Sequence, residues 1–241
     1  MGARIFSILF WLLLAGGLVW AGREGLKWMR AHPEEFSFAP LKLDHRVGSA
    51  TRGKLSALGQ DRNACHALLG EAGINFTALP PRGEGKCHAS DLTRLPQQPA
   101  FPVRIHPGNS NPSCAVNAAL ILWQREVAGP AAAAHFGSKV ARLETFGSYN
   151  CRTVANSERM SEHATGNAVD IAALVLADGR RISVLGDWNS DDPARRAFLR
   201  DIREGACRLF TTVLSPDYNE AHADHFHFDM AQRTGGYGVC R

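Results

Sequence analysis

The sequence contains no Cys-x-x-Cys pair, no internal repeat, no low-complexity segment and no long run of like charge. Lack of a Cys-x-x-Cys pair removes the usual zinc knuckle and dithiol redox motif. Without a repeat period or a biased stretch, repeat arrays and low-complexity tails are excluded as well. Charge is modest, 27 basic against 23 acidic residues for a formal +4. That balance lacks the footprint of a nucleic-acid binder, so no nucleic acid is expected as a partner, although it suits a negatively charged wall or membrane surface.

What is present begins at the N-terminus. Ile5 to Ala21 is a run of seventeen uncharged residues preceded by Arg4. It falls slightly short of the roughly 20 residues of a spanning helix and exceeds the roughly 7–15 of a signal-peptide apolar region. Val19-Trp-Ala21 resembles a small-residue cleavage site, while Arg23, Lys27 and Arg30 follow the run. Residues 1–22 are therefore expected to be an export segment. Either it anchors the chain in a membrane through residues 5–21, or it is cleaved to leave a soluble form.

Six cysteines, at 65, 87, 114, 151, 207 and 240, are even in number and scattered. Behind an export segment they point to three disulfides in an oxidising compartment. Six cysteines allow about fifteen connectivities. Pairing sequence neighbours gives Cys65 with Cys87, Cys114 with Cys151, and Cys207 with Cys240.

Residues 23–58 are polar with no clear period and read as a linker or stalk, leaving residues 59–241 as the domain. The 45% apolar content is sufficient for a core. Asp61 is placed to cap a helix over Arg62–Leu69. Ser113 to about Ala128 reads as a second helix, ended by Gly129-Pro130. Lys139–Phe146 alternates as a strand, and Ala168–Leu176 is an apolar strand with Arg181–Leu185 as its hairpin partner. Asp192-Pro193 opens a helix to about Phe210, striped by Ala194, Ala197, Phe198, Ile202 and Ala206. Thr211–Leu214 and His225–Met230 are short strand candidates. These elements predict an α+β fold, a small and mainly antiparallel sheet with helices packed on it and a metal site in a cleft on the sheet.

Two runs hold most of the ligand-type side chains. In the first, His163 and Asp170 lie seven residues apart around Gly166, which lets the loop turn back. Asp170 sits inside an apolar strand pattern, where a buried carboxylate needs either a metal or an arginine. The second is His222-Ala-Asp224-His225-Phe-His227-Phe-Asp229. Along an extended segment His225, His227 and Asp229 share one face while Phe226 and Phe228 share the other. A catalytic zinc takes three such ligands and leaves one position for water. Asp224 stands three residues before His227, where a general base beside that water is wanted. Strict alternation puts it on the opposite face, so this role requires a bend at the start of the strand. His225 and Asp229 are the further candidates for base or supporting partner.

Ser161-x-His163-x-x-Gly166-x-Ala168-x-Asp170, followed by Asp224-x-x-His227, resembles the signature of the D-alanyl-D-alanine carboxypeptidase type of zinc peptidases. Phage endolysin peptidases and penicillin-insensitive murein endopeptidases are among their relatives. The resemblance implies Zn2+ held by His163, Asp170 and His227, with Asp224 as base. The chain is more closely similar to the bacterial extensin-like C-terminal domain family. That similarity rests on Gly147-Ser-Tyr-Asn-Cys151-Arg152, Ser161–Ile171, Asp187-Trp188, Phe198-Leu-Arg200 and the run 222–229, and it covers roughly residues 60–241. Arg152 resembles the arginine that steadies substrate or oxyanion in the peptidases. The family name carries no implication of hydroxyproline-rich walls, since the chain has no such repeats.

Together these resemblances imply amide hydrolysis. The export segment points to a periplasmic location at the inner membrane, and that compartment suggests peptidoglycan or its stem peptides as partner. The competing expectation is a non-catalytic zinc-containing envelope or peptidoglycan-binding domain.

Overall fold

The computed structural model describes residues 2–155, 157–233 and 237–241. The apolar run is a helix, α1 (Gly2–Ala31), which extends ten residues beyond Ala21. Its stretch from Ile5 is long and apolar enough to cross a membrane. Large side chains such as Phe6, Trp11 and Leu13 are exposed along it. Two helices follow, α2 (Thr51–Leu58) and α3 (Arg62–Glu71). Asp61 caps α3 by accepting from the Ala64 N–H at 2.9 Å. Part of the segment read as a linker is tied to the domain, because Leu43 and Leu55 are buried in its core. Arg125 also donates to the carbonyls of Leu43 and His45.

β1 (Thr77–Ala78) and β2 (Thr93–Arg94) form a small antiparallel pair, followed by β3 (Arg104–His106). Every residue of α4 (Cys114–Trp123) is buried. The sequence places the end of this helix at Gly129-Pro130, but the chain stays helical. A π turn over Gln124–Ala128 leads directly into α5 (Gly129–Phe136). The Gly129 N–H donates to the Gln124 carbonyl five residues back, and this wider turn accommodates Pro130, which has no N–H to give. The helix stops instead at Gly137, in the left-handed region at φ 63°.

The remaining elements are β4 (Val140–Gly147), β5 (Ala168–Leu176), β6 (Arg181–Ser183), α6 (Val184–Asp187), α7 (Pro193–Ala206), β7 (Thr212–Leu214), β8 (Phe226–Asp229) and β9 (Val239–Cys240). The fold is α+β, but the main sheet is larger than expected and mixed, antiparallel through its centre and parallel at both edges. Among the described residues it has seven strands, six in the order β3-β4-β5-β8-β7-β9 and β6 paired to β5. β3 runs parallel to β4 because α4 and α5 lie between them as a crossover. β9 runs parallel to β7 at the opposite edge. The centre, where the site lies, is antiparallel.

One sheet face carries Phe226 and Phe228, stacked 5.9 Å apart. Trp123 of α4 meets Phe228 edge-on at 5.4 Å, and Phe210 stacks on it at 4.8 Å. The Trp123 indole N–H donates to the Ile202 carbonyl at 2.9 Å, tying α4 to α7. Each ring so buried contributes about 1.5–3 kcal/mol. Leu199 joins Phe198, Ile202 and Ala206 on the buried stripe of α7.

Three disulfides close the chain. Cys207 pairs with Cys240 as sequence proximity predicts, but Cys65 pairs with Cys114 and Cys87 with Cys151. The correction follows from packing: α3 lies on the start of α4, and the segment holding Cys87 folds over the end of β4. The closed loops span 49, 64 and 33 residues. Loop entropy then assigns each bridge about 4 kcal/mol.

Candidate functional site

β5 is buried along nearly its whole length, and antiparallel pairing sets Asp170 directly opposite His227 of β8. Cross-strand partners of this kind have neighbouring side chains on one face. His163 reaches them from the 3-10 turn Glu162–Thr165, which Ser161 caps by accepting from the His163 N–H. Gly166 closes that turn at φ 69°, and a Cβ there would meet Leu92 Cδ2 at 2.3 Å. The left-handed backbone favours glycine at this position, and a larger residue would also have to displace the Leu92 side chain.

Three atoms converge: His163 Nε2, Asp170 Oδ1 and His227 Nδ1, each 3.1 Å from the other two. The outer nitrogens are already engaged. His163 Nδ1 donates to the Ser148 carbonyl at 2.6 Å, and His227 Nε2 donates to Asp229 Oδ2 at 3.0 Å. This assignment of the protons makes both inward nitrogens bare lone pairs facing a carboxylate oxygen. Three acceptors without a donor need a cation. Donors about 2.0–2.1 Å from a tetrahedral zinc would stand roughly 3.3 Å apart, close to the triangle found. The three residues could therefore hold a metal ion. All are buried, at 2%, 8% and 8% exposure. A second grouping, His66, Asp91 and Cys114, offers no thiolate because Cys114 is disulfide-bonded.

The same arrangement favours a proton on His227. Burial disfavours the His227 imidazolium, but hydrogen bonds and charges from Asp170 and Asp229 prevail and push its pKa up to about 9. Burial likewise works against the Asp170 carboxylate, and the two imidazoles overcome it, holding its pKa well below the usual range. Asp229 is held low by His227 and by the Ala231 N–H, also against burial. No arginine serves Asp170 among the described residues; its partners are histidines.

Around this triangle the other expected residues form a rim. His225 Nε2 lies 3.5 Å from Asp170 Oδ1, and its Nδ1 bonds Asp224 Oδ1 at 2.7 Å. Asp224 thus contacts His225 and not the triangle. β8 begins only at Phe226, after a 3-10 turn over Glu220–His222, so strict alternation does not extend back to Asp224. Arg152 is exposed, and its charge acts on His222. Phe146, 61% exposed, meets the His225 ring edge-on at 5.7 Å.

Sequence reasoning gave no role to three contributors. The Ser148 carbonyl is a backbone group and leaves no side-chain signal. The His222 ring lies 5.2 Å from His225 and 6.0 Å from His227, and burial with its charged neighbours lowers its pKa to about 4. Glu162 accepts from Asn167 Nδ2 at 2.6 Å, and burial raises its carboxyl. The run 222–229 made His222 visible, whereas Glu162 stood unremarked beside His163.

Residues 63–241 match the family described as Extensin-like protein C-terminus. The chain belongs to this family. No curated protein and no solved structure matches it. The extensin-like domain therefore spans both halves of the triangle, the rim and all three disulfides. The disulfides and the apolar N-terminal helix are consistent with a secreted or membrane-anchored envelope protein.

Proposed function

We propose that this extensin-like domain is a zinc-dependent hydrolase of envelope peptides, acting on peptidoglycan stem peptides or cross-bridges. The observation that supports it most is the triangle of acceptors 3.1 Å apart, with each outer nitrogen already committed. The resemblance to D-alanyl-D-alanine carboxypeptidases and murein endopeptidases supports the reaction class. α1 would hold the domain at the periplasmic side of the inner membrane.

His163, Asp170 and His227 would hold the ion. When bound, zinc supplies Lewis acidity, polarising a carbonyl oxygen and acidifying water. Ser148 and Asp229 fix the two imidazoles so that their free lone pairs stay inward. His225 is best placed to move the proton, since its Nε2 faces the triangle while Asp224 holds its Nδ1. It takes a proton from the attacking water as the new C–O bond forms. It then returns that proton to the leaving amine as the C–N bond breaks. Asp224 orients the ring and offsets its charge, replacing the direct role as base expected from spacing. Arg152, on the exposed rim, steadies the developing oxyanion or a substrate carboxylate.

One observation favours a second reading. The 3.5 Å approach of His225 to Asp170 brings a fourth nitrogen to the triangle, and four protein ligands would close the site as in structural zinc centres. The domain would then bind peptidoglycan without cutting it. Digestion of purified peptidoglycan by the zinc-loaded protein separates the two. Hydrolysis yields shortened or uncross-linked stem peptides that vanish in His225→Ala while zinc stays bound. Intact peptidoglycan, with zinc lost in His225→Ala, supports the closed site.

A further inference from the structure

A cleft of about 640 Å³ opens beside the triangle. One side is the end of β4 and the two residues after it, Phe146 to Tyr149, which include Ser148, the carbonyl partner of His163. Phe146 is shared between the cleft and the His225 ring. The opposite wall is the segment from Leu79 to Arg94, which contributes Arg82 and Arg94. Among the described residues no aspartate or glutamate lines the cleft. Two arginines in a lining of this kind favour an anion, and Arg pairs with carboxylates through two parallel hydrogen bonds.

The wall is fixed before any ligand arrives. Cys87 on the wall is bonded to Cys151, just beyond Tyr149. The Tyr149 hydroxyl donates to the Cys87 carbonyl at 3.1 Å, and the Arg82 guanidinium lies 4.6 Å over the Tyr149 ring. Gly83, at φ 75°, permits this approach; a Cβ there would stand 2.1 Å from the Tyr149 hydroxyl. A preorganised cleft loses little entropy on binding. Exposed Phe146 and half-buried Tyr149 supply ring faces on the path from the arginines to the triangle.

We infer that this cleft is a specificity subsite for an extended acidic peptide, whose carboxylate binds Arg82 and Arg94 while its backbone crosses Phe146 toward the triangle. The binding part stands on the cleft alone; the placement of the scissile bond at the triangle rests on the hydrolase reading. The full chain in detergent micelles, with rhodamine-labelled pentapeptides carrying one glutamate or one glutamine, tests both by fluorescence anisotropy and product analysis in the same sample. The glutamate peptide is expected to bind at least tenfold tighter, and Arg82→Ala with Arg94→Ala to erase that difference. Arg82→Lys with Arg94→Lys retains part of it and guards against simple misfolding. Equal binding of the two peptides, no binding of either, or a preference that survives the double alanine variant would overturn the inference. Bound but uncut glutamate peptide counts against the hydrolase reading only. Peptides cut without preference count against the cleft only.

Discussion

His163, Asp170 and His227 are buried at 8% exposure or less, whereas the Asp224 side chain is 45% exposed and Arg152 lies on the surface. The inner set stands on two paired strands and a capped turn, and each of its two imidazoles has an outer partner. The rim stands on loops, its geometry set by side-chain contacts such as Asp224 with His225. Metal affinity should therefore depend on the fold of the sheet, and reactivity on the loop before β8. Substitutions in the two regions ought to separate those properties.

The largest effect is expected from Asp170→Ala. It removes the one anionic ligand and leaves two buried imidazoles without a counter-charge, so zinc content should drop below about a tenth of an equivalent and hydrolysis with it. Thermal melting adds a second reading. Zinc at a hundred times its Kd stabilises by about 2.7 kcal/mol, or roughly 5–10 °C for a domain of this size. That shift should disappear in Asp170→Ala. His225→Ala is the counterpart on the rim, with zinc retained and kcat lowered by about 10²–10⁴-fold. Equal loss of zinc in both variants would break the comparison.

Asp229→Asn sharpens it. The carboxylate that orients His227 is 4% exposed, and loss of such a partner lowers metal affinity by about 10–100-fold. Equilibrium dialysis measures this directly. Asp224→Asn should leave zinc affinity unchanged and lower kcat less than His225→Ala, because Asp224 acts through His225.

Protons give a further handle. In the metal-free protein His227 stays protonated up to about pH 9, so zinc must expel that proton. The apparent affinity for zinc should rise about tenfold per pH unit between pH 7 and 9 and flatten above. Stability of the metal-free form runs the other way. A pKa raised from 6.5 contributes fully below pH 6.5, and the contribution fades as pH rises through about 9. Calorimetric melts of the metal-free chain across that range would show it.

Much of the inner set was legible in the sequence. Asp170 inside an apolar strand marks a carboxylate that needs a partner, and the alternation of His227 and Asp229 with Phe226 and Phe228 gives the face. The rim was harder to read, because Asp224 lies before the strand where a period of two no longer applies. Helix α4 was legible at its Ser113 cap but not at its end, where a π turn overrides the Gly-Pro signal. Two disulfides were misassigned because contact between α3 and α4, and between the Cys87 segment and β4, is tertiary. The parallel pairing of the edge strands is tertiary too, and β3 and β9, three and two residues long, carry too little period to announce it.

The most direct test is the zinc stoichiometry of the purified full chain, reconstituted with zinc and dialysed, with Asp170→Ala in parallel. The account predicts close to one equivalent for the native chain and almost none for the variant. A native chain without zinc, or a variant that keeps it, would contradict the metal centre on which the proposed chemistry rests.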